Sequence, residues 1–273
     1  MPRKLGLVAG GGSLPRQIVE ACRVQGRDVV VVAFDGTTTQ ATVVGVDHIW
    51  TRLGAVGRTI DWLKSNQVED VVLAGAMARP SWSTVRPDMR GLKLLPRIAA
   101  AGQGDDAILS VIIEEFESEG FRVIGLDEVM PDLLAVEGAM GLHEPDSGAL
   151  DDIARGLDVA RALGSVDVGQ AVIVQQGIVL GVEAAEGTDA LIDRCAAQRR
   201  DGVGGVLVKC VKPGQERRAD LPSIGPETVS GSLACGLRGI AIGAGAALVL
   251  DRAETVAAAD AGGLFLYGVR IDW

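Results

Sequence analysis

Aromatic residues make up only 3% of this 273-residue sequence, so any core must be built from aliphatic side chains. Histidine occurs only at His48 and His143, which gives little basis for a histidine acid or base, or for a structural zinc site. The four cysteines form no CxxC pair, and their apolar surroundings predict small core residues in a reducing compartment. The longest apolar run, residues 239–250, has about half the length that a membrane-spanning helix requires.

Positive charge is also in short supply. The chain has 26 lysines and arginines against 36 aspartates and glutamates, for a net charge of −10. Because binding to nucleic acid requires a basic face, no nucleic-acid partner is expected. The opening stretch MPRKLGLVAGGG is too short and too rich in glycine for a signal peptide. The composition is typical of a folded soluble protein and leaves homo-oligomerisation open.

The first half of the chain alternates between apolar runs and helical patterns. Strands are predicted at residues 5–10, 28–34, 68–77 and 121–125. Helices are predicted at residues 14–25, 55–66 and 106–120. Continuous apolar strands separated by helices indicate a parallel sheet covered on both faces. The sequence therefore predicts an α/β protein with a Rossmann-like N-terminal domain over residues 1–132.

The alternation loosens at residues 131–147, where prolines and glycines accumulate and a linker is predicted. A helix follows, then two short strands around Gly177 and a turn into another helix. The segments GVLVKCV and GLFLYGVR read as further strands. These elements predict a second, less regular α/β domain over residues 133–273, which we take as the catalytic domain.

A glycine run, AGGGSLP at residues 9–15, directly follows the first strand. Gly11, Gly12 and Ser13 are candidate contacts to a phosphate, because glycine permits close approach and the next helix offers backbone N–H groups. A structural tight turn explains the run equally well. A nicotinamide-binding loop is a weaker alternative that also draws on Asp35, since Pro15 occupies the third fingerprint position.

Two polar segments follow the third predicted strand. Met77 and Arg79 lie in GAMARPS at its carboxyl end, where ligands bind in open α/β sheets. Gln103 lies in GQGDD, which either caps the next helix through Asp105 or Asp106 or contacts a polar ligand or Mg²⁺.

The segment VEAAEGTDAL, residues 182–191, places Gly187, Thr188 and Asp189 at the start of a helix. Thr188 or Asp189 as a plain N-cap is the simpler reading. The acidic residues Glu183 and Glu186 beside them also suit a hard divalent cation. Both alternatives stay open from the sequence.

Cations gather around Asp220 in the proline-rich stretch at residues 209–229. Lys209 and Lys212 precede Asp220, and three prolines fix an extended, loop-like path. Lysines can neutralise phosphoryl oxygens while an aspartate orients water or carries a metal. The alternative is a surface loop whose charges keep it soluble, but such a loop does not need so rigid a frame.

Six segments resemble one family in the right order: LGLVAGGGSLP, MARPS, GDDAIL, VLGVEAAEGTDALI, LVKCVKPGQERRADLPSIGPETV and GLRGIAI. Together they are similar to the UDP-2,3-diacylglucosamine pyrophosphatases of lipid A biosynthesis. The resemblance implies hydrolysis to UMP and 2,3-diacylglucosamine 1-phosphate with Mg²⁺ or Mn²⁺, by two domains that close over the substrate. It also implies a peripheral position on the cytoplasmic face of the inner membrane.

The resemblance places the essential aspartate of the family at Asp220, which is also the candidate metal ligand. Lys209 and Lys212 are the further catalytic candidates, and Gln215 joins the substrate-binding set. Two other functions remain open from the sequence: a sensor that binds a sugar nucleotide or acylated sugar without turnover, and a nicotinamide-dependent oxidoreductase.

Overall fold

The computed structural model describes residues 2–77, 85–101 and 105–273. The chain divides into two compact units. The first comprises Met1–Pro131 together with the short segment Arg218–Asp220, and the second comprises Asp132–Arg217 and Leu221–Trp273. Within the described ranges, no helix is both long and apolar enough to cross a membrane.

The first unit is built on a five-stranded parallel sheet in the order β3-β2-β1-β4-β5. Its strands are β1 (Leu5–Ala9), β2 (Val29–Phe34), β3 (Asp47–Thr51), β4 (Asp70–Ala74) and β5 (Arg122–Val123). The order is that of a Rossmann half, with a switch point between β1 and β4. The predicted parallel-sheet, Rossmann-like fold is confirmed.

Helices follow each of these strands in the chain. They are α1 (Leu14–Gln25), α2 (Gln40–Val43), α3 (Val56–Ser65), α4 (Met89–Ala101), α5 (Asp105–Ser118) and α6 (Leu126–Val129). The buried strand residues pack against apolar side chains of α3 and α5, among them Ile60, Leu63, Ile113 and Phe116. Burial of aliphatic surface on a sheet of this kind supplies most of its stabilisation.

The second unit contains a six-stranded mixed sheet in the order β6-β13-β11-β9-β7-β8. Its strands are β6 (Gly138–Ala139), β7 (Ala171–Gln175), β8 (Ile178–Val182), β9 (Val206–Lys209), β11 (Gly239–Gly243) and β13 (Phe265–Val269). The central strands β9, β11 and β13 are parallel, whereas β7 and β6 are antiparallel to their neighbours. A separate parallel pair is formed by β10 (Ser223–Ile224) and β12 (Leu248–Val249).

Alternate residues of the central strand β9 point to opposite helix layers. Val206 and Val208 pack with α7 (Ser147–Ser165), whereas Leu207 joins the cluster on the other face. That second layer consists of α8 (Thr188–Cys195), α9 (Pro226–Cys235) and α10 (Arg252–Gly262). The period of two along the strand therefore yields a three-layer α/β/α unit.

All four cysteines are free thiols in the interior, as the sequence predicted: Cys22, Cys195, Cys210 and Cys235. Burial raises the pKa of each thiol, and that of Cys210 to about 12. A thiol with a raised pKa stays protonated and unreactive at neutral pH.

Asp70, at the start of β4, is 1% exposed and is the focus of an arginine cluster. Arg122 donates to its carboxylate at 2.8 Å and 3.0 Å, and Arg27 donates at 2.6 Å. Burial opposes ionisation of this carboxyl. The hydrogen bonds and charges of Arg122 and Arg27 outweigh that effect and hold the pKa of Asp70 below its ordinary value.

We expect Asp70→Asn to lower the free energy of unfolding by about 1–3 kcal/mol near neutral pH, because the largely buried Arg27 and the half-exposed Arg122 lose their carboxylate partner. A lowered folded pKa gives stability that is present above the unfolded pKa of about 3.9 and is lost as pH falls through the folded value. Urea unfolding across a pH series should therefore show the deficit shrinking towards acid pH. Asp28→Asn, at an exposed site, is the control, and a deficit that does not change with pH would contradict this account.

Candidate functional site

The glycine turn after β1 crosses the loop after β4 at close range. The N–H of Gly11 donates to the Ala76 carbonyl at 2.7 Å, and the N–H of Ala76 donates back at 3.0 Å. A Cβ atom at Gly10 would approach the carbonyl oxygen of Gly75 to 2.5 Å. The crossing of two backbones therefore requires glycine here. It lies at the switch point between β1 and β4, where open α/β sheets bind their ligands.

Three predicted substrate contacts border this crossing. Gly12 is exposed with a φ of 85°, and Ser13 is exposed at the N-cap of α1 without a capping hydrogen bond. The Ser13 hydroxyl instead accepts a hydrogen bond from Gln17 at 3.2 Å. Met77 is 40% exposed. These side chains are accessible from solvent, and their contact with substrate stays a prediction. Arg79 and Gln103 lie outside the described residues.

Lys209 ends β9 and is 8% exposed. Its ammonium donates to the backbone carbonyl of Ser223 at 2.9 Å. Ser223 lies in the short strand β10, three residues after Asp220. Lys209 thus links the carboxyl end of β9 to the segment that directly follows Asp220, the predicted catalytic residue.

Residues 212–215 form a closed turn in the second unit. Pro213 and Gly214 occupy its centre, and Gly214 has a φ of 77°, as the third residue of a type II turn requires. The N–H of Gln215 donates to the Lys212 carbonyl at 3.1 Å. The side-chain oxygen of Gln215, a predicted substrate ligand, accepts the Lys212 N–H at 2.8 Å. Gln215 therefore locks the turn that carries Lys212.

The ammonium of Lys212 forms an ion pair with Asp167 at 2.5 Å. The Lys212 side chain is 16% exposed, whereas that of Asp167 is 42% exposed. Asp167 follows helix α7, whose Gly164 packs directly against Lys212 and Pro213. The end of α7 and the turn at 212–215 therefore form one packed assembly around a lysine.

The acidic segment before α8 is held by its own contacts. Gly187 is the N-cap, with a φ of 84°, so the predicted cap at Thr188 or Asp189 is wrong. The Thr188 hydroxyl donates to one oxygen of Glu183 at 2.6 Å, and the Gln170 N–H donates to the other oxygen at 2.9 Å. Asp189 is exposed in the first turn of the helix. The carboxylate of Glu183 therefore organises the loop in which the three candidate ligands lie.

Glu186, the second carboxylate expected to suit a cation, accepts a hydrogen bond from Arg194 at 2.9 Å. Its own backbone N–H and the Arg194 guanidinium lower the pKa of Glu186. In the described ranges, no group of three or more histidine, cysteine or acidic side chains is arranged to hold a metal ion.

Asp220 belongs to the first unit, with Arg218 and Ala219. Ala219 packs against the apolar cluster that contains Phe116, and Arg218 forms an ion pair with Glu117 at 2.5 Å. These contacts give the segment that carries Asp220 a defined conformation within that unit. Asp220 itself is half-buried.

The predicted site residues are thus distributed over both units. Gly11, Gly12, Ser13, Met77 and Asp220 belong to the first unit. Gly187, Thr188, Asp189, Lys209, Lys212 and Gln215 belong to the second, where Lys212 and Gln215 share one turn. Sequence reasoning missed Asp167, because no motif links it to a lysine 45 residues later.

Two family models match the chain in tandem. The model described as the LpxI N-terminal domain covers residues 4–133, and the model described as the LpxI C-terminal domain covers residues 136–267. The UDP-2,3-diacylglucosamine pyrophosphatase LpxI of Caulobacter vibrioides is 42% identical over 279 residues. That alignment covers 98% of each chain, so the similarity extends through both units.

Two solved structures that match the chain are only distantly similar to it. The biotin carboxylase subunit of pyruvate carboxylase is 16% identical with a TM-score of 0.28, and the biotin carboxylase domain of a 2-oxoglutarate carboxylase is 15% identical with the same score. Each match covers 63% of this chain and 35% of the solved chain. Similarity at this level carries no argument about fold or function.

We expect Lys209→Met to lower the free energy of unfolding by about 1–3 kcal/mol, because the half-buried Ser223 carbonyl loses the hydrogen bond from a buried charged donor. Urea unfolding followed by circular dichroism measures this loss. Ser223→Ala is the matched control, since the hydrogen bond goes to the backbone and should survive the change. Equal losses in the two variants would show that the contact with the carbonyl is not what stabilises the segment.

Proposed function

Because the chain belongs to the LpxI family, we propose that it hydrolyses the pyrophosphate bond of UDP-2,3-diacylglucosamine. The products are UMP and 2,3-diacylglucosamine 1-phosphate, an intermediate of lipid A biosynthesis. The observation that carries the proposal is the identity of 42% to a pyrophosphatase over 98% of each chain.

The chemistry of this substrate explains the need for a cationic turn. A pyrophosphate is kinetically inert in water because its negative charge repels nucleophiles, and fixed positive groups lower that barrier. Lys212 lies on a turn closed by two hydrogen bonds, so its main chain is fixed before substrate binds. We assign Lys212 to the phosphoryl oxygens, and Lys209 to holding the segment after Asp220 through the Ser223 carbonyl.

Asp220 is the proposed catalytic carboxylate and the proposed ligand of Mg²⁺ or Mn²⁺. Magnesium is commonly held by only one or two protein carboxylates together with substrate phosphates, so a single aspartate on a fixed segment suits it. When bound, the metal supplies positive charge to the pyrophosphate oxygens. The contacts of Ala219 and Arg218 support this role, because they hold the two residues directly before the predicted ligand against the first unit.

The remaining predicted ligands are proposed to bind the non-reacting parts of the substrate. They are Gly11, Gly12, Ser13, Met77, Arg79, Gln103, Gly187, Thr188, Asp189 and Gln215. A substrate with two acyl chains resides in a membrane, so we also propose a peripheral position on the cytoplasmic face of the inner membrane. This requires contact with the lipid surface rather than a spanning segment.

The two alternative functions, a nicotinamide-dependent oxidoreductase and a sensor, predict different properties. A nicotinamide-binding loop needs backbone donors after β1, but the N–H of Gly11 already bonds Ala76 and Pro15 has none to offer. A sensor would bind the same substrate without releasing products. Turnover therefore separates the sensor from the hydrolase.

We expect Asp220→Ala to reduce release of UMP by about 100-fold or more, with substrate binding retained, because the variant removes charge that acts in the transition state. Mass spectrometry of both products measures turnover, and calorimetric titration measures binding. Asp61→Ala, at an exposed aspartate of α3, is the control and should turn over like the unaltered protein. Full turnover by Asp220→Ala would remove that residue from the site. Intact substrate with the unaltered protein, despite binding, would indicate a sensor.

The metal proposal has its own test. Treatment with EDTA should abolish turnover, and added Mg²⁺ or Mn²⁺ should restore it in the unaltered protein but not in Asp220→Ala. Full activity in EDTA after exhaustive dialysis would contradict a metal-assisted reaction.

A further inference from the structure

The residue that pairs with Lys212 occupies an unusual backbone position. Asp167 has a φ of 54°, in the left-handed region that non-glycine residues seldom adopt. Its N–H donates to the Gly164 carbonyl at 3.1 Å, and the N–H of Val168 donates to the Leu163 carbonyl at 3.0 Å. These two bonds form a Schellman motif that ends helix α7, with Asp167 at the position where glycine is usual.

Glycine at this position would relieve backbone strain without loss of the two capping bonds. The aspartate therefore gives the fold no local advantage as a helix terminator. What it contributes is its carboxylate, which lies 2.5 Å from the ammonium of Lys212.

Packing fixes the geometry of this pair on both sides. A Cβ atom at Gly164 would come within 2.9 Å of Pro213 and 3.1 Å of the Lys212 side chain, so the helix end lies directly on the turn. The backbone of Lys212 is held by Gln215, and the backbone of Asp167 is held by the helix terminus. Two rigid backbones thus present the two charged groups to each other.

We propose that Asp167 is a positioning residue that orients the ammonium of Lys212 toward the pyrophosphate, an inference that rests on the proposed function. A lysine side chain has many rotamers and an ammonium with three N–H donors. The carboxylate of Asp167 restricts those rotamers by accepting one donor. It acts through Lys212 and does not itself contact the substrate.

The position of Asp167 offers an unusually clean variant. Asp167→Gly removes the carboxylate and suits a positive φ, so it should leave the melting temperature unchanged or raise it. We expect kcat/KM for UDP-2,3-diacylglucosamine to fall about 10-fold, because misorientation of a catalytic group slows the reaction. Asp167→Asn keeps an acceptor oxygen, so its kcat/KM should lie between that of the unaltered protein and that of Asp167→Gly. Unchanged kcat/KM in Asp167→Gly would overturn the inference.

Gln176 provides the matched control. It also has a positive φ, of 53°, and lies in the same unit in the turn between β7 and β8. Gln176→Gly should therefore relieve the same kind of strain and leave kcat/KM unchanged. An equal fall in both glycine variants would attribute the effect to the backbone and overturn the role of the carboxylate.

A double-mutant cycle tests whether Asp167 acts through Lys212. In a Lys212→Ala background, Asp167→Gly should cause no further loss of kcat/KM, because the group it orients is gone. Independent, multiplicative losses would show that Asp167 acts elsewhere and would overturn the inference.

Titration with UDP separates this inference from the proposed function. If the unaltered protein releases no UMP, the hydrolase proposal fails. The positioning role then requires UDP to bind about 10-fold more weakly to Asp167→Gly than to the unaltered protein. Equal affinities, or no UDP binding by the unaltered protein, would overturn the inference as well.

Discussion

Both sheets are covered on both faces, and this restricts charged side chains to the ends of the strands. The central strands of each unit are buried throughout, so a charged side chain can occur only where a strand begins or ends. At the beginning of β4, Asp70 meets arginines and serves stability. At the carboxyl ends, the glycine crossing after β1 lies where open α/β sheets bind ligands, and Lys209 at the end of β9 holds the chain after Asp220 through the Ser223 carbonyl.

The burial of the strands on both faces also determines which elements can be predicted from the sequence. Strands β1, β2 and β4 are continuous apolar runs, and the helices around them have a clear period, so the Rossmann-like sheet was predictable. Strand β3 was not, because it lies at the sheet edge and its exposed Asp47 and His48 interrupt the apolar pattern. Helix α4 contains Pro96, which removes one backbone hydrogen bond and reads locally as a break.

For the candidate site, too, some features were predictable from the sequence and others were not. Lysines near an aspartate in a proline-rich stretch are visible in the sequence, because composition and rigidity are local properties. The partners of those lysines are not visible: a carboxylate at Asp167 and a backbone carbonyl at Ser223. Both contacts arise when distant strand and helix ends are brought together by the sheet. Local chemistry therefore identifies the groups, and topology determines what each of them touches.

Three cations of the proline-rich stretch each have a fixed partner, and these contacts explain why an acidic chain concentrates positive charge there. Lys209 bonds the Ser223 carbonyl, Lys212 pairs with Asp167, and Arg217 donates to the Gly245 carbonyl. A loop that needed charge only for solubility would leave such side chains extended in water, because fixing long side chains costs conformational entropy. Tethered cations on a backbone stiffened by proline are instead preorganised, and preorganised charge is what lowers the barrier to attack on a pyrophosphate.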